Sequence, residues 1–259
     1  RTRFTGTPAT VTAVRTSIGA MTPGILTPAG GGDYVMAPVA RGFATPVVWC
    51  CTDGDEVVTE SDSRIDAPRV TAAGADGGGR VRMLLARPGG GMVLVGVDPV
   101  GLGANRTEVP VAVATVPALA SLAADGLSWV DPSAPQVLHR APVSDAGLGP
   151  DAPAFLPGRA VAVWSAPGIT AAAVRVNGRV RVVRVDGAAA RPRAVWNGGR
   201  VPKVAVGAGT LVLADGRRIL AARGPGPLRR VARAGGRVAA VAADGTRVAW
   251  LQRMTRKRQ

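Results

Sequence analysis

Apolar residues in this chain come in short runs that often alternate with arginine, and they rarely take the three-to-four-residue spacing of an amphipathic helix. The clearest case is Ala173–Val185. There Val176, Val180 and Val182 alternate with Arg175, Arg179 and Arg181 around Asn177-Gly178. Alternation at period two puts valine on a buried face and arginine in water. Asn-Gly supplies the two positive-φ residues of a type I′ turn, so the stretch predicts a β-hairpin. The Val182-Val183 doubling breaks the phase and predicts a bulge or a strand end. The best helical stretch, Val116–Ala124, has no polar face and is read as an inner strand.

The strand-like runs repeat. They close at Trp49, Val95, Trp129, Trp164, Leu213 and Trp250, at intervals of roughly 40 residues. A unit of that length holds four strands, and six such units predict an all-β fold. The expected fold is a β-propeller of six blades with four antiparallel strands each; five or seven blades are the alternatives and a pair of β-sandwiches is the rival architecture. Asp125-Gly126, Asp215-Gly216 and Asp244-Gly245 mark turns, because Gly tolerates positive φ and Asp bonds its own backbone. The sixth unit starts at Arg237 and runs out of chain. Residues 1–40, which contain the strand-like Ala9–Arg15, are expected to complete that blade or to form an N-terminal extension of a single domain spanning 1–259.

Ala243-Asp-Gly-Thr-Arg-Val-Ala-Trp250 resembles the repeat of TolB-like six-bladed propellers, a Trp-Asp type of repeat in which an Asp-Gly turn feeds a strand ending in an aromatic residue. Leu122–Trp129 is similar. The resemblance covers 44–251 by period and 118–131 and 238–251 by motif.

The formal charge is +15, and arginine carries nearly all of it, Lys203 and Lys257 being the two lysines. An Ala-, Gly-, Val- and Arg-rich chain points to a GC-rich, actinobacterial genome. The charge favours anionic partners. The densest basic region holds Arg217, Arg218, Arg229, Arg230 and Arg233, with Arg223 and Arg237 beside them, and these are the candidate binding residues. The same arginines also suit an exposed strand face. Aromatic residues make up only 3%, too few for base-stacking platforms, so specific nucleic-acid recognition is disfavoured. No uninterrupted apolar run is long enough to predict a membrane span.

No catalytic residues, metal ligands or cofactor motif emerge. Cys50 and Cys51 are adjacent on a predicted strand, so they face opposite sides and are read as separate thiols. His139, the one histidine, is read as a solvated loop residue; Ser144 and Asp145 lie near it in sequence without a nucleophile-elbow pattern. The acidic run Asp53–Glu56 with Glu60 and Asp62 lacks the ligand spacing of a calcium loop. Gly30–Gly32, Gly77–Gly79 and Gly89–Gly91 are followed by no phosphate-binding helix. The expectation is a noncatalytic, monomeric binding propeller, secreted or in the cell envelope. It would recognise a protein or an anionic envelope component through loops at one face or the channel mouth. The alternatives are a propeller hydrolase or lyase using channel carboxylates, and the accessory propeller of a larger peptidase-type enzyme.

Overall fold

The computed structural model describes residues 24–30, 33–38, 47–49, 57–59, 69–75, 81–86, 91–97, 107–111, 113, 115–185, 191–207, 209–245 and 247–253. Among the described residues every regular element is a strand. The first sheet is β1 (Gly24–Gly30), β2 (Asp33–Pro38), β3 (Val47–Trp49) and β4 (Val57–Thr59). The second is β5 (Arg69–Ala75), β6 (Val81–Ala86), β7 (Met92–Val97) and β8 (Thr107–Val111). The third is β9 (Leu119–Leu122), β10 (Gly126–Val130) and β11 (Val137–Ser144), whose outer edge pairs with β12 (Gly147–Leu148) and β13 (Ala154–Phe155). The fourth is β14 (Arg159–Ala166), β15 (Ile169–Val176), β16 (Arg179–Val185) and β17 (Arg193–Gly198). The fifth is β18 (Lys203–Gly207), β19 (Thr210–Asp215), β20 (Arg218–Arg223) and β21 (Arg229–Arg233). The sixth pairs β22 (Arg237–Asp244) with β23 (Arg247–Arg253).

All of these pairings are antiparallel, and all but β11–β13 join chain neighbours in a meander. The first strands follow one another in space: β1 lies beside β5, β5 beside β9, β9 beside β14, β14 beside β18 and β18 beside β22. Sheets that share an inner row of first strands and fan outward make a β-propeller. The core is therefore a series of slabs between neighbouring sheets. Strand β19 shows why. Leu211 and Leu213 pack toward the fourth sheet with Ile169, Ala171 and Val182, while Val212 and Ala214 pack toward the sixth with Val238. A strand buried on both faces reads as a continuous apolar run. Thr-Leu-Val-Leu-Ala fits that rule, with Leu211, Val212 and Leu213 fully buried. Each such side chain contributes about 1.5–3 kcal/mol of burial free energy.

The Asn177-Gly178 hairpin forms as its sequence predicts, with φ of 49° and 75° at the two turn residues. Val180 and Val182 are buried, Arg175 and Arg179 exposed. The register of β16 against β17 slips between Val182 and Val183, where the valine doubling predicts it. Asp215-Gly216 and Asp244-Gly245 lie at hairpin turns, with φ of 63° and 49° at the glycines. Leu119–Leu122, from the weakly helical stretch, is the inner strand β9.

The apolar runs behind the repeat, in contrast, do not fall on equivalent strands. Trp49 and Val95 lie in third strands, Trp129, Leu213 and Trp250 in second strands, and Trp164 in a first strand. The period survives because neighbouring sheets touch through residues one unit apart. Arg82 donates to the Ala124 carbonyl, the Ser165 amide to Ser121 Oγ, the Gly168 amide to Asp125, and Arg184 to the Gly224 carbonyl. These ties span 42, 44, 43 and 40 residues. The proposed completion of the sixth sheet by Ala9–Arg15 lies outside the described residues, as do Cys50, Cys51, the acidic residues Asp53, Asp55, Glu56, Glu60 and Asp62, and most of the three glycine-rich stretches.

Candidate functional site

Strands β10 and β11 pair in the register Gly126↔Pro142, Leu127↔Ala141, Ser128↔Arg140 and Trp129↔His139. Alternation sends Leu127, Trp129 and Ala141 into the slab shared with the second sheet. It sends Val130 and Leu138 into the slab shared with the fourth. Ser128 and Arg140 share that second face, so a serine and an arginine stand where the rest of the interface uses Val, Leu and Ala. Ser128 is only 3% exposed.

The slab opens there into a cleft of about 260 Å³ between the third and fourth sheets. Its polar lining is Asp125, Ser128, Arg140, Ser165 and Thr170, and Leu127, Ile169 and Val185 are among its apolar lining. Asp125 Oδ2 accepts the Gly168 amide at 2.9 Å and so joins the two sheets beside the cleft. Ser128 Oγ and Thr170 Oγ1 are 3.4 Å apart. Good hydroxyl–hydroxyl bonds run about 2.5–3.0 Å, so neither hydroxyl is well satisfied by the other. Among the described residues Ser165 Oγ, which is buried, has no hydrogen-bond partner. A buried hydroxyl left in that state costs about 1–3 kcal/mol.

His139 is a correction to the sequence reading. It stands on β11, with its side chain 21% exposed, instead of in a solvated loop. Its ring stacks on Trp129 with centroids 5.1 Å apart and planes 17° from parallel. Nδ1 is 2.6 Å from Asp151 Oδ2, and Nε2 is 3.5 Å from Asp131 Oδ2. Asp131 also accepts from Thr115 Oγ1 at 3.1 Å, and Asp151 Oδ1 accepts the Arg140 amide at 3.2 Å. The last bond has a clear cause. The outer edge of β11 is covered by two short strands, β12 and β13, and Arg140 falls in the gap between them. The Asp151 carboxylate supplies the acceptor that a continuous strand would have given its amide. Ser144 and Asp145 are engaged elsewhere, with the Gly147 carbonyl and with Arg82 at 3.3 and 3.2 Å. Among the described residues the imidazole is paired with carboxylates alone, and the cluster ties β11 to the segments at Asp131 and Asp151. Among the described residues no group of three His, Cys, Asp or Glu side chains is placed to hold a metal ion.

The predicted basic patch is spread over two ends of the fifth sheet. Arg218 pairs directly with Arg233, and Arg217 lies in the preceding turn with its Nε donating to the Ala234 carbonyl at 3.1 Å. The amides of Ala234 and Val238 bond the carbonyls of Arg217 and Gly216, bringing the start of β22 to this end. Arg237, which pairs with Arg253, thereby joins the group. All five of these arginines are exposed. Arg229 and Arg230 pair with Ala221 and Leu220, about 10 Å farther along the strand. They flank exposed Val231 on the outer edge of the sheet. Charged residues there discourage edge-to-edge pairing. Sequence reasoning missed the cleft. Its available signal was Ser128 and Arg140 inside otherwise apolar strands.

Neither a protein-family model nor a curated protein sequence matches the chain. Solved propellers do match its fold. The nidogen/laminin complex is similar at 15% identity and a TM-score of 0.50, covering 85% of this chain and 82% of that one. The SapL1 lectin bound to α-methyl fucoside gives 14% and 0.50, covering 90% and 89%. The WD40 repeats of RRP9 give 10% and 0.52, covering 87% and 72%. Identities this low establish the shared fold alone.

Proposed function

We propose that this propeller is a noncatalytic binding scaffold whose partner presents closely spaced negative charge to the end of the fifth and sixth sheets. The observation that carries the reading is the cross-strand register Arg218↔Arg233 and Arg237↔Arg253, with Arg217 in the turn that the start of β22 bonds. Like charges directly opposite each other destabilise a sheet. Two such pairs side by side cost stability in the free protein and become favourable when phosphates or carboxylates bridge them, since arginine forks match those groups. The inner strands support the noncatalytic part. Among the described residues of β1, β5, β9, β14, β18 and β22, the one carboxylate is Asp244, at a turn. A glycosidase working in the channel needs a pair. The laminin-complexed and fucoside-bound propellers are consistent with use of this fold for binding. On this reading the protein is a monomeric, TolB-like propeller of the cell envelope or the exterior, and its partner is an anionic envelope polymer.

Titration with heparin as a model polyanion tests the proposal. Binding should weaken steeply with salt, and Arg218→Ser/Arg233→Ser should flatten the salt slope by about two units, one per arginine. Unchanged affinity and slope in the double variant would refute the site. A strong preference for one nucleic-acid sequence would refute the partner class.

A further inference from the structure

We propose that the cleft between the third and fourth sheets is a second binding site, for a small neutral polyol of about the size of one sugar ring. The site is independent of the arginine cluster. Its size is the first constraint: at about 260 Å³ it falls just below the range of about 300–1,000 Å³ that takes drug-sized ligands. Its chemistry is the second. Arg140 offers only donors, Asp125 only acceptors, and Ser128, Ser165 and Thr170 can do both. A sugar hydroxyl also donates one bond and accepts others, so neighbouring hydroxyls are matched by adjacent acidic, basic and hydroxyl side chains. A simple anion is not, because Asp125 shares the lining with Arg140 and would repel it. A wholly apolar ligand would leave Ser165 Oγ, already buried and unbonded, without a partner. Val185, which belongs to the slab between the third and fourth sheets, provides aliphatic surface on which the carbon face of a ring can rest.

The position of the polar residues argues in the same direction. Ser128 and Arg140 are a cross-strand pair on a face whose other members, Val130 and Leu138, are fully buried hydrophobes. Val in place of Ser128 would suit the slab better as packing. The 3.4 Å Ser128–Thr170 approach leaves both hydroxyls with capacity for a ligand.

The test uses the full chain and saturation-transfer NMR with a panel of myo-inositol, glycerol and the methyl glycosides of common hexoses and 6-deoxyhexoses. Sodium acetate and phosphate are the ionic controls. At least one polyol should bind saturably in the millimolar range or tighter. Arg140→Leu and, separately, Ser165→Ala should each weaken it about tenfold or more. Ser165→Ala removes the unbonded hydroxyl, so it should fold with unchanged or higher Tm and keep the test interpretable if Arg140→Leu is unstable. Asp125→Asn keeps an oxygen for the Gly168 amide and should also weaken binding. The proposal is overturned if no polyol in the panel saturates, if binding is indifferent to all three variants, or if acetate or phosphate binds in preference. Heparin affinity should be the same in all three variants, so failure here leaves the arginine site standing and the reverse also holds.

Discussion

Trp129 and His139 face each other across β10 and β11, with their rings stacked and both imidazole nitrogens next to carboxylates. The stack buries one ring face against the second-sheet slab, and the acids Asp131 and Asp151 fix the loops on either side of β11. His139→Ala removes the stack and the short Nδ1–Asp151 contact together. A buried aromatic pair is worth about 0.5–1.5 kcal/mol, and a charge-assisted hydrogen bond adds about 1.5 when, as here, one partner is well exposed. The expected loss is about 2–3 kcal/mol, read from the urea midpoint at unchanged m. His139→Phe should recover about the stacking share and no more. An alanine variant as stable as the parent would show that the clamp is idle.

Gly74 on β5 lies so close to β9 that a Cβ there would meet the Leu122 carbonyl. Backbone cannot move aside as a flexible side chain can. Gly74→Ala should therefore push the second and third sheets apart and cost about 1–3 kcal/mol, as overpacking does. At Gly178 the added Cβ meets nothing, and the penalty comes from φ alone. Comparing the two variants by thermal unfolding separates a packing cost from a backbone cost.

Asn177 is the one described non-glycine residue with positive φ, at 49°. Asn tolerates that region better than most side chains. Asn177→Gly should be neutral within about 0.5 kcal/mol, and Asn177→Val should lose about 1–2 kcal/mol, since a β-branched residue is a poor fit to left-handed backbone. Equal stability of the two variants by urea titration would mean that the turn had changed type.

Removing the like-charge pair Arg218–Arg233 should have opposite effects on stability and binding. Arg218→Ser/Arg233→Ser should raise Tm slightly at low salt, because cross-strand repulsion is relieved, and should lower heparin retention in the same buffer. The stability gain should fade as salt screens the pair over about 8 Å at physiological ionic strength. A double variant that loses both stability and binding would indicate packing by the arginine stems in place of a charge site.

Local order was legible along the chain where one rule acts at a time. The Asn177-Gly178 turn, the Val–Arg alternation beside it, the slip at Val182-Val183 and the Asp-Gly hairpins depend on φ preference and period-two burial, which are properties of a few neighbouring residues. The repeat length was legible too, because residues one unit apart, such as Ser121 and Ser165, meet across sheets. Strand equivalence was not: an aromatic at the end of an apolar run packs as well from a first strand, as at Trp164, as from a second, as at Trp129. The site depended on tertiary structure. Ser128 and Arg140 are twelve positions apart and join only through the β10–β11 register, and Ser165 and Thr170 arrive from the next sheet. His139 looked like a loop residue because prolines flank it, until the fold set Trp129 against its face and brought Asp151 back over the gap in the outer edge. Sequence patterns report which way a side chain faces, while the partner it meets there is decided by the packing of whole sheets.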